Sequence, residues 1–291
     1  MKITVLAALW LFLSTSAFAS ISCVNSVNGH KGFLPENNLK IHVGDKAANT
    51  MTKERFNAII DGVDKFYRPI VTAKGGVLKW ARKWDDATVN ASAQRLWKVW
   101  QVNMYGGLAR HALVTDDGFA LVVCHELGHH LGGAPKIGGS SSQWASNEGQ
   151  ADYFGTMKCF RRVFESENNE AIIARMTVDP LVAKNCADHF TLANDKALCI
   201  RAAMAGKSLA DLLAELGGRG VVNFATPDSS RVSRTNDAHP AAQCRLDTYF
   251  QGSLCDKDVT DDVDNSDAEK GVCTLAQGYT FGTRPLCWYK P

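Results

Sequence analysis

The stretch TDDGFALVVCHELGHHLGG, Thr115 to Gly133, decides how this chain is read. Its punctuation is that of one helix. Thr115 is a capping residue, Asp116 and Asp117 place negative charge in a first turn where the helix dipole favours it, and Gly132-Gly133 supplies the stop. Between these signals the run is almost entirely apolar, so the segment is expected to be a core helix rather than a surface one. Its last turns carry His125 and His129, four residues apart and therefore on one face, with Glu126 offset beside them. Two imidazoles in this H-E-x-x-H spacing chelate a single Zn²⁺, and the glutamate reaches the water that the metal activates.

A catalytic zinc takes three protein ligands and leaves one position for water, so a third ligand is expected downstream. Glu148 is the candidate. It opens a second helix, expected from about 147 to 164, in Asn147-Glu148-Gly149-Gln150-Ala151-Asp152. Asp152 falls one turn later on the same face, where it can accept a hydrogen bond from a ligating histidine. Acidic residues at a helix start also serve as an ordinary solvated cap, but here Glu148 completes a set that the first helix begins. The expected metal ligands are His125, His129 and Glu148, with Glu126 as general base. His130 points about 100° away from His129 around the helix and is expected to pack or face solvent. His30, His42, His111 and His189 show no accompanying pattern.

Working outward, residues 20–50 read as an irregular arm, and Thr52 to Tyr67 as an amphipathic helix burying Phe56, Ile59, Ile60, Val63 and Phe66. From Val77 to Met104, β-branched and aromatic residues predict two or three strands of an antiparallel sheet. Residues 134–147 are rich in Gly and Ser and read as a loop. Helices are expected near 181–205 and 207–217. Residues 256–269 are acidic and turn-rich, and without the glycine of a calcium loop they read as a solvated disulfide loop. The expected fold is α+β: a small antiparallel sheet, an active-site helix and a mainly helical, disulfide-bearing C-terminal part. The expected division is one domain over 20–250 and a Cys-rich extension over 251–291.

The N-terminus carries Met1-Lys2, an apolar run from Ile3 to Leu13 and a small-x-small site at Ala17-Phe18-Ala19, the marks of a signal peptide cut after Ala19. That run is shorter than the roughly 20 residues a bilayer requires, and no later stretch approaches it, so no integral span is expected. A periplasmic or secreted protein with nine cysteines is expected to form disulfides, with an odd thiol left over. Cys124, beside a metal ligand on an apolar helix, is the candidate for that thiol. A net charge of +2 with scattered Lys and Arg gives no basis for nucleic-acid binding.

In sequence order these segments resemble the HtpX- and BepA-type gluzincins, a family of bacterial and organellar zinc metallopeptidases. The resemblance covers about residues 90–245. Asn90-Ala91-Ser92-Ala93 is similar to the family's Asn-Ala strand, and Gly107-Leu108 to the Gly-Leu ahead of its active-site helix. His125-Glu126-x-x-His129 and Glu148-x-x-Ala151-Asp152 follow, and His239-Pro240 with Arg245 is similar to its His-Pro…Arg element. The resemblance implies a zincin-like domain, one zinc ion, a protein or peptide substrate, and an edge strand that pairs with it, offered here by WKVWQVNMY (97–105) or GGLARHALV (106–114). It also implies that His239 sits over the metal as a lid or an oxyanion partner, with Asp152 and Arg245 supporting the ligands; the alternative is a surface histidine opening the next helix, whose Arg245 packs by a salt bridge. Many relatives are membrane-embedded, so a membrane-protein substrate does not carry over, and the Cys-rich part from Cys244 onward lies outside the common pattern. The alternatives are a zinc-containing chaperone or binding protein with an idle site, and another zinc hydrolase of the cell envelope.

Overall fold

The computed structural model describes residues 32–139, 143–218 and 220–291, together with the backbone of Ile21–Ser22. The expected signal peptide, Cys23 and His30 lie outside these residues. Three strands form the body of the sheet: β2 (Val77–Lys83), β3 (Ala91–Leu96) and β4 (Val99–Tyr105), with the two-residue β1 (Ile21–Ser22) beyond β3. β3 and β4 are an antiparallel hairpin in which Leu96 faces Val99 and Trp97, at φ 55°, takes the left-handed turn position. β2 pairs with β4 in parallel, Val77 opposite Val99 and Lys83 opposite Tyr105. The sheet is therefore mixed rather than antiparallel. Residues 84–90 pass over the end of the sheet and skip one position, which β4 fills on its return. Alternation of side chains is the same for either partner direction, so the spacing could not reveal this.

α1 (Lys53–Ala73) starts where expected, with the Thr52 hydroxyl accepting from Arg55 N–H at 3.2 Å. It runs on past Tyr67 through Pro69, because the buried face Phe56, Ile60, Val63, Tyr67 continues to Val71. Tyr67 takes the buried place expected of Phe66, which is only partly covered. The short α2 (Gly106–Ala109) then leads to α3 (Asp116–Leu131), capped by the Thr115 hydroxyl on Gly118 N–H and followed by Gly132. Every residue of α3 from Gly118 to Leu131 is buried, as its uninterrupted apolar run requires.

α3 lies at the centre, with β3, β4 and α1 packed against it on one side and α4 (Glu148–Phe154) and α8 (Ala193–Gly217) on the other. The expected helix over 147–164 is continuous but not uniform: α4 passes through a π-helical stretch, Gly155–Phe160, into α5 (Arg161–Phe164). α6 (Asn169–Ile173) and α7 (Pro180–His189) follow, and α9 (Ala242–Leu254) packs along α8. The break expected near residue 206 falls instead at 190–192. Gly206 sits inside α8, where a Cβ would lie 2.4 Å from the Tyr249 Cβ, so this glycine serves the close approach of α8 and α9 rather than ending a helix.

Eight cysteines pair as Cys124–Cys159, Cys186–Cys199, Cys244–Cys287 and Cys255–Cys273. Cys124 is thus not the free thiol. The π-helical stretch brings Cys159 against α3 with the two Cα atoms 5.5 Å apart, a partner that sequence separation alone does not reveal. These disulfides fit an oxidising compartment. Among the described residues no helix is long and apolar enough to cross a membrane. The segment after α9 has little regular structure and is held by its disulfides and by Trp288, which covers α4 so closely that a Cβ on Gly149 would lie 2.2 Å from the indole. Reduction is expected to lower the thermal midpoint sharply, since losing one native disulfide costs about 2–5 kcal/mol in small secreted domains. Melting curves with and without reductant check this, and coincident curves after verified reduction would contradict it.

Candidate metal centre

α3 and α4 cross where Gly128 meets Ala151; a Cβ on Gly128 would sit 2.9 Å from the Ala151 carbonyl oxygen. That contact lets the two helices approach closely enough for their side chains to converge. The imidazoles of His125 and His129 and the carboxylate of Glu148 offer ligand atoms that all lie within 4.8 Å of one another. His125 Nε2 is 3.3 Å from Glu148 Oε2, and His129 Nε2 is 3.7 Å from Glu148 Oε1. Asn147 caps α4 by accepting from Gln150 N–H at 3.0 Å, which fixes the turn from which Glu148 projects.

The outer nitrogens of both histidines are already engaged. His125 Nδ1 is 2.7 Å from Asp152 Oδ1, and His129 Nδ1 is 2.8 Å from the Ser146 carbonyl oxygen. The carbonyl can only accept, so His129 carries its proton on Nδ1 and presents a lone pair at Nε2. Asp152 is itself held by Arg245, whose Nε and Nη2 donate to its two oxygens at 2.7 Å each. Arg245 Nη1 donates to the Phe33 carbonyl at 2.8 Å, its guanidinium lies over the Phe33 ring, and the edge of that ring meets His125 at 5.0 Å. The chain Arg245–Asp152–His125 fixes the imidazole as support behind a metal ligand does.

The charges and unpaired atoms of the cluster fit a cation. His125 Nε2, Glu148 Oε2 and both oxygens of Glu126 are buried without a hydrogen-bond partner. Groups left in that state cost about 1–3 kcal/mol each, and a cation coordinated between them removes the cost for its ligands. Burial disfavours a charged His125, yet the Asp152 and Glu148 carboxylates outweigh it and raise the imidazole to about 9. Burial also opposes ionisation of Glu148, but His239, His129 and His125 hold its carboxyl well below the usual range. His129 is pulled down to about 4 by burial, with Glu148 opposing. The carboxylates thus create a place for positive charge, and the buried nitrogen and oxygen donors fit a divalent ion. Glu126 has the opposite environment: burial, reinforced by Glu148 and opposed by His125, pushes it up to about 8.

His239 is brought to the same place. Its Nε2 lies 3.5 Å from Glu148 Oε2 and 2.8 Å from the Gly32 carbonyl oxygen. The other histidines are elsewhere. His130 stacks between Trp100 and Trp144, at 5.5 and 4.8 Å, and His189 stacks on Phe281 at 3.6 Å. His111 faces Glu215 at 3.7 Å, and His42 is exposed. Neither segment expected to offer an edge strand does so: 97–105 contains β4, paired on both sides, and 106–114 contains α2. β3, which packs on α3, is also paired on both sides, with β4 along its length and with Ile21–Ser22 at Gln94 and Arg95, and Phe33 N–H donates to its Ala91 carbonyl at 2.9 Å.

Sequence reasoning missed Phe33, Gly32 and Ser146. Gly32 and Ser146 act through main-chain carbonyls, which any residue possesses, so no side-chain signal marks them. Phe33 lies in an arm without periodicity. Comparison of the chain with protein-family models, curated proteins and solved structures finds no match, so its geometry alone carries the functional argument.

Proposed function

We propose that this chain is a zinc-dependent metalloendopeptidase that hydrolyses peptide bonds of envelope or extracellular proteins. The observation that carries this reading is the pairing of a three-ligand cluster with an adjacent buried carboxylate, Glu126, whose two oxygens have no protein partner. A purely structural zinc site closes with four protein ligands and has no use for such a base. His125, His129 and Glu148 would hold the ion; bound zinc supplies Lewis acidity that polarises a carbonyl and acidifies water.

The protein's own groups do the rest. Glu126 takes the proton of the attacking water and delivers it to the leaving amine, a role suited to a carboxyl that burial moves toward neutral pH. Asp152 and Arg245 hold His125 in orientation. His239, beside Glu148, steadies the oxyanion as the carbonyl carbon becomes tetrahedral, its Nε2–H turning from the Gly32 carbonyl to the developing charge. Incubating the mature protein with an envelope proteome, against a Glu126→Gln control, tests the reading: new protein termini are expected with the wild type alone. Identical termini in both samples would remove it, and termini in neither would favour an idle site.

His239→Ala is expected to keep its zinc and lower turnover by about 10²–10³, the usual effect of removing one oxyanion partner. Steady-state kinetics with metal analysis checks this. A rise in basal proteolysis would make the His239 segment a lid instead, and unchanged activity would remove both roles.

A further inference from the structure

Beside the cluster, residues 135–139 and 232–238 enclose a cleft of about 810 Å³. The first of these segments pairs with residues 145–147, Ile137 N–H donating to the Ala145 carbonyl at 3.0 Å and Asn147 N–H to the Pro135 carbonyl at 3.2 Å. The cleft wall is therefore continuous with Ser146, which orients His129, and with Asn147, which caps the Glu148 helix. On its other side, residues 232–238 lead directly into His239. Lys136 lines this cleft and is only 2% exposed.

Its surroundings are unusual for a buried ammonium. Lys136 Nζ donates to the Trp144 carbonyl at 3.2 Å and to the Ser146 hydroxyl at 3.4 Å, two long contacts with neutral acceptors that leave a third donor. Behind Trp144 is a second cation. Arg95 lies 3.8 Å over the Trp100 ring and 5.3 Å from the Trp144 ring, its Nη2 donates to the His130 carbonyl at 3.2 Å, and its Nε is buried without a partner. Neither cation has an acidic partner among the described residues, and the residues outside them contain no Asp or Glu. Asp237 also lines the cleft, but its carboxylate is engaged by Gly138 N–H at 2.8 Å. Burial, with Arg95 adding, lowers Lys136 to about 8, so it stays charged at neutral pH while lacking a counter-ion. A buried cation beside a half-buried one is costly unless an anion joins them.

We infer that this cleft is a substrate subsite in which Lys136, reinforced by Arg95, receives a carboxylate of the peptide being cleaved. The inference rests on the peptidase reading and specifies its substrates: chains presenting an acidic side chain, or a free C-terminal carboxylate, a short distance from the scissile bond. Lys136 makes the contact, and Arg95 adds to the field from behind Trp144.

The test uses peptides of one sequence with Glu or Gln at successive positions around the cleaved bond, each with a free and an amidated C-terminus. Hydrolysis by the zinc-loaded wild type gives KM and kcat. Anisotropy binding to the zinc-loaded Glu126→Gln variant gives Kd without turnover. At one position Glu is expected to lower KM and Kd at least about tenfold relative to Gln, with kcat little changed. High salt should weaken the preference, and Lys136→Met should erase it. A preference that follows the free C-terminus instead assigns the bound carboxylate to the chain end. Equal KM and Kd for every Glu/Gln and acid/amide pair, or no binding by any peptide, overturns the subsite, and this comparison needs no Lys136 variant to fold. A Glu preference in binding without hydrolysis by the wild type keeps the subsite and sinks the peptidase reading.

Discussion

Glu126→Gln is expected to retain zinc, fold normally and lose about 10²–10⁴ in kcat, the usual contribution of a positioned general base. The substitution is nearly isosteric, and the side chain is fully buried with no protein hydrogen bond to lose, so stability should change little. What disappears is the ability to accept a proton from the attacking water. Because burial raises this carboxyl to about 8, binding a cation next to it favours its ionised form and brings it toward the working pH. Single-turnover kinetics on a peptide cleaved by the wild type checks the assignment. Activity within a few-fold of wild type would mean that another group takes the proton.

The second large effect is structural. Arg245→Met removes the guanidinium that holds both oxygens of Asp152, in a pair with no solvent exposure on either side. Breaking such a pair from one side strands a buried charge and is expected to cost about 3–5 kcal/mol. Asp152 would then also cease to fix His125, so zinc affinity should fall by about 10–100-fold. Denaturant unfolding and metal competition measure the two losses. Adding Asp152→Asn to Arg245→Met should recover part of the stability, because it removes the stranded charge. A single variant as stable as wild type would contradict the account of this pair. In the wild type, burial opposes ionisation of Asp152, but Arg245 and His125 hold its carboxyl below its ordinary value. The stabilisation from that group is therefore fully present above the unfolded carboxylate pKa of about 3.9 and lost as acidification passes through the folded value.

What was legible in the sequence was local or periodic. The α3 helix, its cap and its stop follow from a threonine, two aspartates, a continuous apolar run and two glycines. The face shared by His125 and His129 follows from helix geometry, as does the offset of Glu126. Glu148 and Asp152 were legible because a helix start and a one-turn spacing place them together. The parallel pairing of β2 with β4 was not legible, since a crossover direction leaves no mark on strand alternation. The break near residue 206 was misread because Gly206 meets a tertiary need, the approach of Tyr249, that looks locally like a helix stop. The Cys124–Cys159 pairing depends on how the α4 helical run winds past α3 through a π turn. Lys136 and Arg95 carried no signal, because a lysine in a glycine-rich loop is ordinarily exposed and only the fold reveals that it is buried without an acid.

Binding of one zinc ion by His125, His129 and Glu148 together is the central claim. Elemental analysis of protein saturated with zinc and then freed of loosely bound metal tests it most directly, with wild type, Glu126→Gln and His129→Ala prepared in parallel. One equivalent is expected in the first two and a large loss in the third. No zinc in the wild type, or full retention by His129→Ala, would contradict the claim.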